Sequence, residues 1–579
     1  MGDRDEASAD DMTARFEQAV ALHRSGRLAE AVAAYQQVTA AAPGFAPAHA
    51  NLAVALRSQG DPQAALAACE AAIAAAPQYA DVHSIRGNAL LDLNRAEAAL
   101  ASFDTAVTLE PANARFQNNR GNALLRLERP DPALASFDRA VALDPAYAEA
   151  HYNRGVALQI LKDLPGALSS YDAALAIEPR YLKALANRAA VLRLLGDDEA
   201  ALAGWDAAVA IDPRAASVHR NRANALMRLG RPQEALKAFN RPEVLEPGDD
   251  HSHWNRTLAL LQSEQFAEGW REYEMRWTYS DYVTRSTGMV TPGLRARLDP
   301  ALRAEDLNGR RILLVGEEGV GDVVMFASMV PDVLAAAASV SLICSSRLHG
   351  LLSNAFPQLT LLEQQAPDWA ADDFDHVLGI GSLGRLYRNR PEDFPGRPYA
   401  SARTAVRDRW QERLGLKGRS LRVGLSWRGG TDGSGRQARS IPLADLAPLL
   451  RLPGCEFVSL QYGDHRAEVA EVNGGLERPI REFEPAALND LEDLTGLAQS
   501  LDMVVSVQTA LVHLCGAAGV PCMALLPRTT SWRFGVRPSS TPWYGSVTLL
   551  RQGVDRSWSP VIAQVAERLR GLSGKDQGD

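Results

Sequence analysis

Prolines recur every 34 residues along the first half of the chain, and this spacing constrains the fold more than any other feature. They stand at positions 43, 77, 111, 145, 179, 213 and 247. Within each 34-residue unit an alanine falls twelve residues before the proline, as at Ala133, and a bulky residue falls eight before it, as at Phe137. This pattern predicts stacked pairs of antiparallel helices, in which alanine permits close approach and the bulky residue fills the gap. Proline then ends the second helix of each pair.

The same offsets resemble the tetratricopeptide repeat (TPR) family. The resemblance covers residues 12–280 as seven regular repeats and a degenerate eighth, after an acidic stretch at 1–11 that we expect to be disordered. Pro242 occupies a position where alanine is expected, which predicts a broken or kinked second helix. The last unit ends in EGWREYEMRW (268–277), which predicts an aromatic cap that buries the array against the following domain.

Asparagine recurs at one register of the first helix in each repeat. The residues are Asn51, Asn119, Asn153, Asn187, Asn221 and Asn255. Because an amide offers both a donor and an acceptor, such a row can hold the backbone of an extended peptide or join neighbouring repeats. The row resembles the asparagine ladder in the TPR superhelix of O-GlcNAc transferases, and that resemblance favours capture of a protein acceptor. Arginines follow most of these asparagines, and we expect part of that row to pair with Asp or Glu.

From residue 309 the pattern changes to short apolar runs that alternate with helical stretches. The strand candidates are 310–316, 339–346, 374–380, 421–427, 455–461, 501–507 and 521–527. Runs without polar alternation predict buried parallel strands covered by helices on both faces. We therefore expect two α/β lobes at 309–400 and 421–560, with linkers at 281–308 and 401–420. A C-terminal helix and tail at 561–579 is expected to pack towards the first lobe.

Several motifs of this half resemble bacterial heptosyltransferases, glycosyltransferase family 9. They are GEEGVGDVVMFASMVPDVL from residue 316, VGLSWRGG from 423, RQARSIPLADLAPLL from 436 and LDMVVSVQTALVHLCGAAGVP from 501. The resemblance implies a GT-B fold with Rossmann-like parallel sheets and inverting transfer from a nucleotide sugar without a metal or other cofactor. With the repeats attached, the chain resembles bacterial protein glycosyltransferases that modify Ser/Thr of flagellin. Flagellin is therefore the leading protein partner.

The glycine turn holds Gly316, Gly319 and Gly321 and ends in Asp322. Its glycine order differs from the dinucleotide fingerprint, so we do not assign phosphate binding to it. Asp322 matches the heptosyltransferase aspartate that is assigned as general base. Aspartate is also a common helix cap, and both roles remain open.

A second set of residues is predicted to bind the nucleotide-sugar donor. It comprises Arg428, Arg436, Arg439, Gln461, Tyr462, Gln508, Thr509, Ala510 and His513. Arginine and a helix N-terminus suit the leaving phosphate, although a solvated loop also explains the arginines. His513 is either a donor ligand or a packed core residue. Trp427 is a candidate for stacking on the nucleotide base, with core packing as the alternative.

Two departures from the heptosyltransferase pattern bear on the substrate. Gln508 stands where those enzymes usually have aspartate, which favours a donor with its own charge, such as a CMP-nonulosonate; ADP-heptose and UDP-hexosamine are the alternatives. The first lobe is short, so acceptor binding is assigned to the repeats. Both departures also fit an inactive transferase half that serves as an interaction scaffold.

Composition narrows the partners and the compartment. The net charge of −9 argues against nucleic acid as a partner. No run approaches the length of a membrane span, and the five cysteines lie mostly among apolar residues, as reduced core thiols do. We therefore expect a cytoplasmic protein.

Overall fold

The computed structural model describes residues 2–579 except 242–243, 245–248, 280–289, 318, 364–369, 416–417, 419, 431–435, 485–487 and 574–579. The side chains of 2–11, 371 and 436–437 also lie outside the described residues. The chain divides into two compact units, Met1–Asn221 and Arg222–Asp579. None of the described helices is long and apolar enough to cross a membrane.

The first half of the chain is a solenoid of helices, as the 34-residue period predicts. The helices are α1 Gly2–Arg24, α2 Leu28–Ala41, α3 Ala46–Ser58, α4 Pro62–Ala75, α5 Ala80–Asp92, α6 Ala96–Leu109, α7 Ala114–Arg126, α8 Pro130–Leu143, α9 Ala148–Ile160, α10 Leu164–Ile177, α11 Leu182–Leu194, α12 Asp198–Ile211, α13 Ala216–Arg228, α14 Pro232–Phe239, α15 Asp250–Gln262 and α16 Phe266–Tyr273. The backbone of α1 starts at Gly2, so it differs from the disorder predicted for 1–11.

Within a repeat the two helices meet at the predicted small and bulky positions. Ala133 and Phe137 of α8 are fully buried, and a Cβ on Gly121 of α7 would lie 2.5 Å from the Phe137 ring. Helix α14 ends at Phe239 after 8 residues, where the regular second helix has 14. Pro242, the predicted cause of a break, lies outside the described residues.

Residues 309–400 form the first lobe around a parallel four-stranded sheet of order β3-β2-β1-β4. Its strands are β1 Arg311–Val315, β2 Ser339–Ile343, β3 Leu359–Leu362 and β4 His376–Gly379. Counting α17 Pro292–Arg295 before the sheet, its helices are α18 Val320–Ala327, α19 Val330–Ala336, α20 His349–Ala355 and α21 Leu383–Tyr387. Strand order reverses at β1, so a crevice opens at the carboxyl ends of β1 and β4.

The second lobe holds a parallel five-stranded sheet of order β6-β5-β7-β8-β9. Its strands are β5 Leu421–Ser426, β6 Cys455–Ser459, β7 Met503–Val507, β8 Cys522–Leu526 and β9 Val547–Arg551. Its helices, with α22 preceding the sheet, are α22 Thr404–Leu414, α23 Ala447–Leu450, α24 Arg466–Asn473, α25 Leu491–Gln499, α26 Ala510–Ala518 and α27 Ser559–Ser573. All seven predicted strands are present.

Three expectations about the connecting segments need correction. Segment 401–420 carries α22, whose Trp410 is fully buried against α25, so it belongs to the second lobe rather than to a linker. In 281–308 the described residues include buried Leu294, and Leu298 bridges to Val377 of β4, so this part packs on the first sheet. Helix α27 buries Val565 in the core of the second lobe instead of returning to the first.

The aromatic cap predicted for EGWREYEMRW is confirmed. Trp270 and Tyr273 of α16 are fully buried, and the ring centroid of Trp270 lies 5.6 Å from that of Trp532 and 6.1 Å from that of Phe326. Because Phe326 belongs to α18 and Trp532 to the second lobe, the last repeat packs against both lobes.

Candidate functional site

A cavity of about 530 Å³ lies between the two lobes. Its walls come from the segments that follow β1, β5, β6 and β7, including Gly319–Asp322, Ser426, Tyr462 and Gln508–Leu511. These are the carboxyl ends of parallel strands, beside the points where strand order reverses in each sheet. Doubly wound folds bind ligands at such points.

Asp322 lies on the first-lobe wall of this cavity and also caps α18. It is the third residue of the helix rather than the N-cap, which is Gly319. Its Oδ2 accepts a hydrogen bond from the Gly319 N–H at 3.3 Å, and its Oδ1 accepts one from Arg533 Nε. The side chains of Asp322 and Arg533 are 15% and 16% exposed. Asp322 therefore caps α18 in the structure, and its role as a base stays a prediction.

The glycine turn allows the two lobes to approach closely. A Cβ on Gly321 would lie 3.2 Å from Ala510 Cα and 3.2 Å from His513 Cδ2, both on α26. A Cβ on Gly316 would lie 2.7 Å from the Ile343 carbonyl oxygen. Gly319 meets no such limit, since a Cβ there would lie 3.7 Å from Asp322. The turn thus brings backbone of the first lobe against the start of α26.

The start of α26 contributes polar groups to the opposite wall. Thr509 is its N-cap, and its Oγ1 accepts a hydrogen bond from the Leu511 N–H. Gln508 is 8% exposed, and among the described residues its Oε1 has no hydrogen-bond partner. A buried polar atom without a partner is costly, so this amide is ready to bind a ligand group in the cavity.

His513 lies one turn into α26 and is 6% exposed. Burial lowers its pKa to about 4, the nearby Asp322 carboxylate opposes that shift, and Arg533 adds to it. Its Nδ1 lies 3.0 Å from the Tyr544 hydroxyl. At neutral pH the imidazole is therefore uncharged. It lines the cavity and is packed at the same time, so the two predicted roles are compatible.

Arg439 is the predicted arginine that reaches the cavity. Among the described residues its guanidinium has no hydrogen-bond or ion-pair partner. Burial lowers its pKa, Arg533 adds to the shift, and Asp322 opposes it. Arg436 lies in the same 3₁₀ helix, Arg436–Arg439, but its side chain is outside the described residues. Arg428 instead pairs with Glu468 and is absent from the cavity wall, so the predicted contact with the donor is not favoured.

Two other predicted contacts of the donor are structural in this arrangement. Gln461 is 1% exposed, and its Oε1 accepts hydrogen bonds from the N–H groups of Trp427 and Arg428 at 2.9 and 2.8 Å. Trp427 is fully buried and donates to Glu468, which is the core-packing alternative. Tyr462 lines the cavity, is 44% exposed and donates to the Gly430 carbonyl oxygen at 3.1 Å.

Sequence reasoning missed two arginines of the cavity wall. Arg533 pairs with Asp322, and Arg347 donates to the Asn489 carbonyl oxygen at 2.7 Å. Arg533 lies in WRFG, between β8 and β9. An arginine next to an aromatic residue was the available signal for it.

A buried ion pair holds the glycine turn in place through Glu317. Arg276 and Glu317 are both fully buried, with Nε–Oε2 and Nη2–Oε1 distances of 2.6 and 2.8 Å. Burial alone would lower the pKa of Arg276, but the carboxylates of Glu317 and Glu274 outweigh it and hold that pKa well above its ordinary value. Glu317 also accepts from the Gly381 N–H at 2.8 Å. The last repeat is thereby tied to the turn that carries Asp322.

The asparagine row of the repeats makes bonds between neighbouring repeats. Asn119 donates to Ser84, Asn153 to Asn118, Asn187 to Tyr152 and Asn255 to Asn224, at 2.9 to 3.1 Å, and Asn51 bonds Tyr35. Asn221 lies on α13. Each of these amides keeps further hydrogen-bonding capacity, so peptide binding stays a prediction. The expected arginine pairs are confirmed at Arg120–Asp104, Arg154–Asp138 and Arg188–Asp172.

Comparison with known proteins supports the repeat half. Residues 22–89, 86–145, 118–181 and 187–249 match models of the tetratricopeptide repeat. Protein FlbA of Caulobacter vibrioides is 31% identical over 322 residues, which is 52% of this chain and 52% of FlbA. The chain thus spans about half the length of this curated relative.

Similar solved structures cover part of the chain. YrrB, a TPR protein with an unusual peptide-binding site, is 26% identical, with a TM-score of 0.27 over 31% of this chain and 92% of YrrB. PilW, a type IV pilus biogenesis factor, is 24% identical, with a TM-score of 0.33 over 34% of this chain and 96% of PilW.

Proposed function

We propose that the protein is an inverting, metal-independent glycosyltransferase that moves a sugar from a nucleotide donor to Ser/Thr of a protein captured by its repeats. The observation that carries the proposal is the interlobe cavity, where a carboxylate, three arginines and the first turn of α26 converge. Two parallel-sheet lobes with such a cavity suit the GT-B class that the sequence motifs resemble.

The proposed transfer breaks the bond from the anomeric carbon to the donor phosphate and forms a bond from the Ser/Thr oxygen to that carbon with inversion. Asp322 takes the hydroxyl proton. Arg439 and Arg533 neutralise the departing phosphate, and the backbone N–H groups at the start of α26 add to the same field. The reaction as proposed needs no cofactor.

The ion pair of Asp322 sets a condition on this mechanism. Arg533 occupies Oδ1 of Asp322, so we expect the acceptor hydroxyl to approach this oxygen once Arg533 has released it. A donor phosphate offers Arg533 an alternative anion, so we expect donor binding to free the carboxylate. If Arg533 stays bound to Asp322, the same contact favours the second candidate function, an inactive transferase half used as an interaction scaffold.

The proposed donor and acceptor rest on resemblance together with Gln508. A neutral amide in place of aspartate lowers repulsion towards a carboxylate-bearing sugar, which makes a CMP-nonulosonate the first donor to test, with ADP-heptose and UDP-hexosamine as alternatives. Flagellin is the first acceptor to test, by resemblance to TPR-linked protein glycosyltransferases. The reaction would take place in the cytoplasm.

Intact-mass spectrometry of flagellin co-expressed with this protein tests the proposal. We expect a mass gain of one or more sugars with the wild type and none with Asp322→Ala. Purified Asp322→Asn should lower the rate about 10²- to 10⁴-fold. Asp464→Asn is the matched control, because Asp464 is exposed in the same unit and does not line the cavity. An unchanged flagellin mass with every variant, despite co-purification, would support the scaffold.

A further inference from the structure

A second cavity of about 530 Å³ adjoins the interlobe cavity. It lies within the unit Arg222–Asp579, between helices α13 and α15 on one side and residues 529–533 on the other. Arg439, Ser531 and Arg533 line both cavities. The Arg533 side chain, which lines both cavities and bonds the Asp322 carboxylate, therefore connects the second cavity to Asp322.

The second cavity has a fixed frame. Thr529 donates to the Arg228 carbonyl oxygen at 2.6 Å, which joins residues 529–533 to the end of α13. Glu264, just after α15, pairs with Arg537 through two bonds of 2.6 and 2.7 Å. Trp532 packs 5.9 Å from Tyr273. These contacts fix residues 529–533 relative to α13 and α15, so the second cavity between them is part of the folded structure.

The lining offers groups that suit a peptide backbone. Asn255 Nδ2 donates to Asn224 Oδ1 at 3.0 Å, and no other side-chain bond of these two amides occurs among the described residues. Asn224 therefore retains its donor and Asn255 its acceptor, next to each other. A peptide unit presents the complementary pair, one C=O and one N–H.

The described side chains that line the second cavity include basic groups but no carboxylate. Arg228, His251, Arg439 and Arg533 line the second cavity, and none of its described lining residues is an aspartate or glutamate. Arg533 is partly neutralised by Asp322, whereas Arg439 keeps its charge without a partner among the described residues. Such a lining favours an acidic side chain and repels lysine.

We propose that the second cavity binds the acceptor as an extended peptide, with its backbone on the Asn224–Asn255 amide pair and an acidic side chain near the modified Ser/Thr on Arg439. Arg439 lines both cavities, and its five N–H donors can serve this side chain and the donor phosphate together. This inference rests on the proposed function, because the peptide's hydroxyl is what reaches Asp322. It assigns acceptor recognition in this unit to α13, α15 and residues 529–533 and gives the acceptor a charge preference.

Binding measured without any donor tests the inference separately from catalysis. Fluorescein-labelled peptides of about 11 residues, with a central Ser in an alanine background and Asp or Lys two residues from it, are titrated into the full-length protein by anisotropy. We expect the Asp peptide to bind at least tenfold more tightly than the Lys peptide. The double variant Asn224→Leu, Asn255→Leu should weaken it about five- to fiftyfold, from two lost hydrogen bonds. The matched control is Asn308→Leu, at an exposed asparagine of the same unit outside the cavity.

A photo-crosslinking residue at Met227 serves as a second measurement that needs no loss-of-binding variant. Met227 lines the second cavity and not the first, so a crosslink from it to the Asp peptide, with none from position 308, supports the proposal. Equal binding of the two peptides, or wild-type binding by the double variant, would overturn it. Crosslinking without any sugar transfer would support peptide binding in the second cavity but remove the proposed activity, and with it the peptide's role as acceptor. Transfer to flagellin without a crosslink would do the reverse.

Discussion

The regular repeats and the last repeat share the 34-residue pattern, but they bury different residues at equivalent positions. Position 270 corresponds to a leucine in the preceding repeats, Leu202 and Leu236, and position 276 to the buried alanines Ala174 and Ala208. The last repeat has Trp270 and Arg276 there. These two residues contact the lobes, whereas their counterparts pack within the repeats.

Arg154 of a regular repeat and Arg276 of the last repeat differ in the burial of their ion pairs. Arg154 pairs with Asp138 at 32% and 50% side-chain exposure, while Arg276 and Glu317 are fully buried. Exposed pairs contribute little to stability, and a buried pair is costly to break because one charge is left without a partner. Repeats therefore tolerate change at their surface pairs, while the last repeat fixes the position of the glycine turn.

The largest expected effect comes from breaking the buried pair. Arg276→Met should lower the free energy of unfolding of the C-terminal unit by about 3–5 kcal/mol, because Glu317 loses its partner inside the protein. Urea unfolding followed by tryptophan fluorescence measures this, since nine of the ten tryptophans lie in 222–579. Arg276→Met with Glu317→Gln should recover part of the loss. A single variant as stable as the wild type would show that the pair does not hold the turn.

Restoring the repeat residue at position 270 should have the next largest effect. Trp270→Leu removes a fully buried ring and its 2.8 Å hydrogen bond to the Arg388 carbonyl oxygen. We expect a loss of about 2–4 kcal/mol in the same urea experiment. The matched control is Trp558→Leu, at a partly exposed tryptophan, which should cost less. An equal loss of stability in the two variants would show that Trp270 contributes no more than a partly exposed tryptophan.

The buried His513 of the second lobe should make stability depend on pH. Folded His513 has a pKa of about 4, below its ordinary value of 6.5, because of burial. As pH falls from 6.5 towards 4, the unfolded chain binds a proton that the folded chain does not, so stability is lost in that window. The loss due to His513 should be about 2 kcal/mol at pH 5 relative to pH 7.5.

Urea midpoints at the two pH values test this for His513→Gln, which should lose about that much less stability than the wild type. His151→Gln is the control, because half-buried His151 lies in the repeats, where it bonds the Pro145 carbonyl oxygen. If both variants keep the wild-type pH dependence, His513 is protonated in the fold and the neutral imidazole is wrong.

The smallest expected effect is at a surface pair of the regular repeats. Arg154→Met should change stability by less than about 1 kcal/mol, and added salt should reduce the difference further. Circular dichroism at 222 nm follows unfolding of the unit Met1–Asn221, since tryptophan fluorescence reports mainly on the unit Arg222–Asp579. A loss as large as that of Arg276→Met would abolish the contrast between the two regions.

Most of the fold could be predicted because its signals are local. The proline period and the apolar runs of β1, β2 and β4 to β8 specify their elements without distant contacts. Strand β3 was missed because it has only four residues, and β9 because its short apolar run is interrupted by Thr548 and ends in Arg551. The helix in 401–420 was missed because its sequence, TAVRDRWQERL, is largely polar.

The candidate site was predictable in part. Asp322, Arg439, Gln508, Thr509, Ala510 and His513 do come together in one cavity, since each follows a strand whose carboxyl end faces it. Arg428 and Gln461 follow strands as well, but their side chains turn to Glu468 and to backbone. Arg533 was missed because it is 211 residues from Asp322 and lies on no strand end.

The sequence by itself determined the repeat architecture, the parallel sheets and the place of most polar residues near strand ends, because periodicity and burial pattern are properties of neighbouring residues. Only the tertiary structure decided which charges meet. The Asp322–Arg533 and Arg276–Glu317 pairs join segments far apart in the chain, and a carboxylate's partner depends on distance in space and burial. Whether Asp322 is bound by an arginine or open to a hydroxyl is therefore a property of the folded chain.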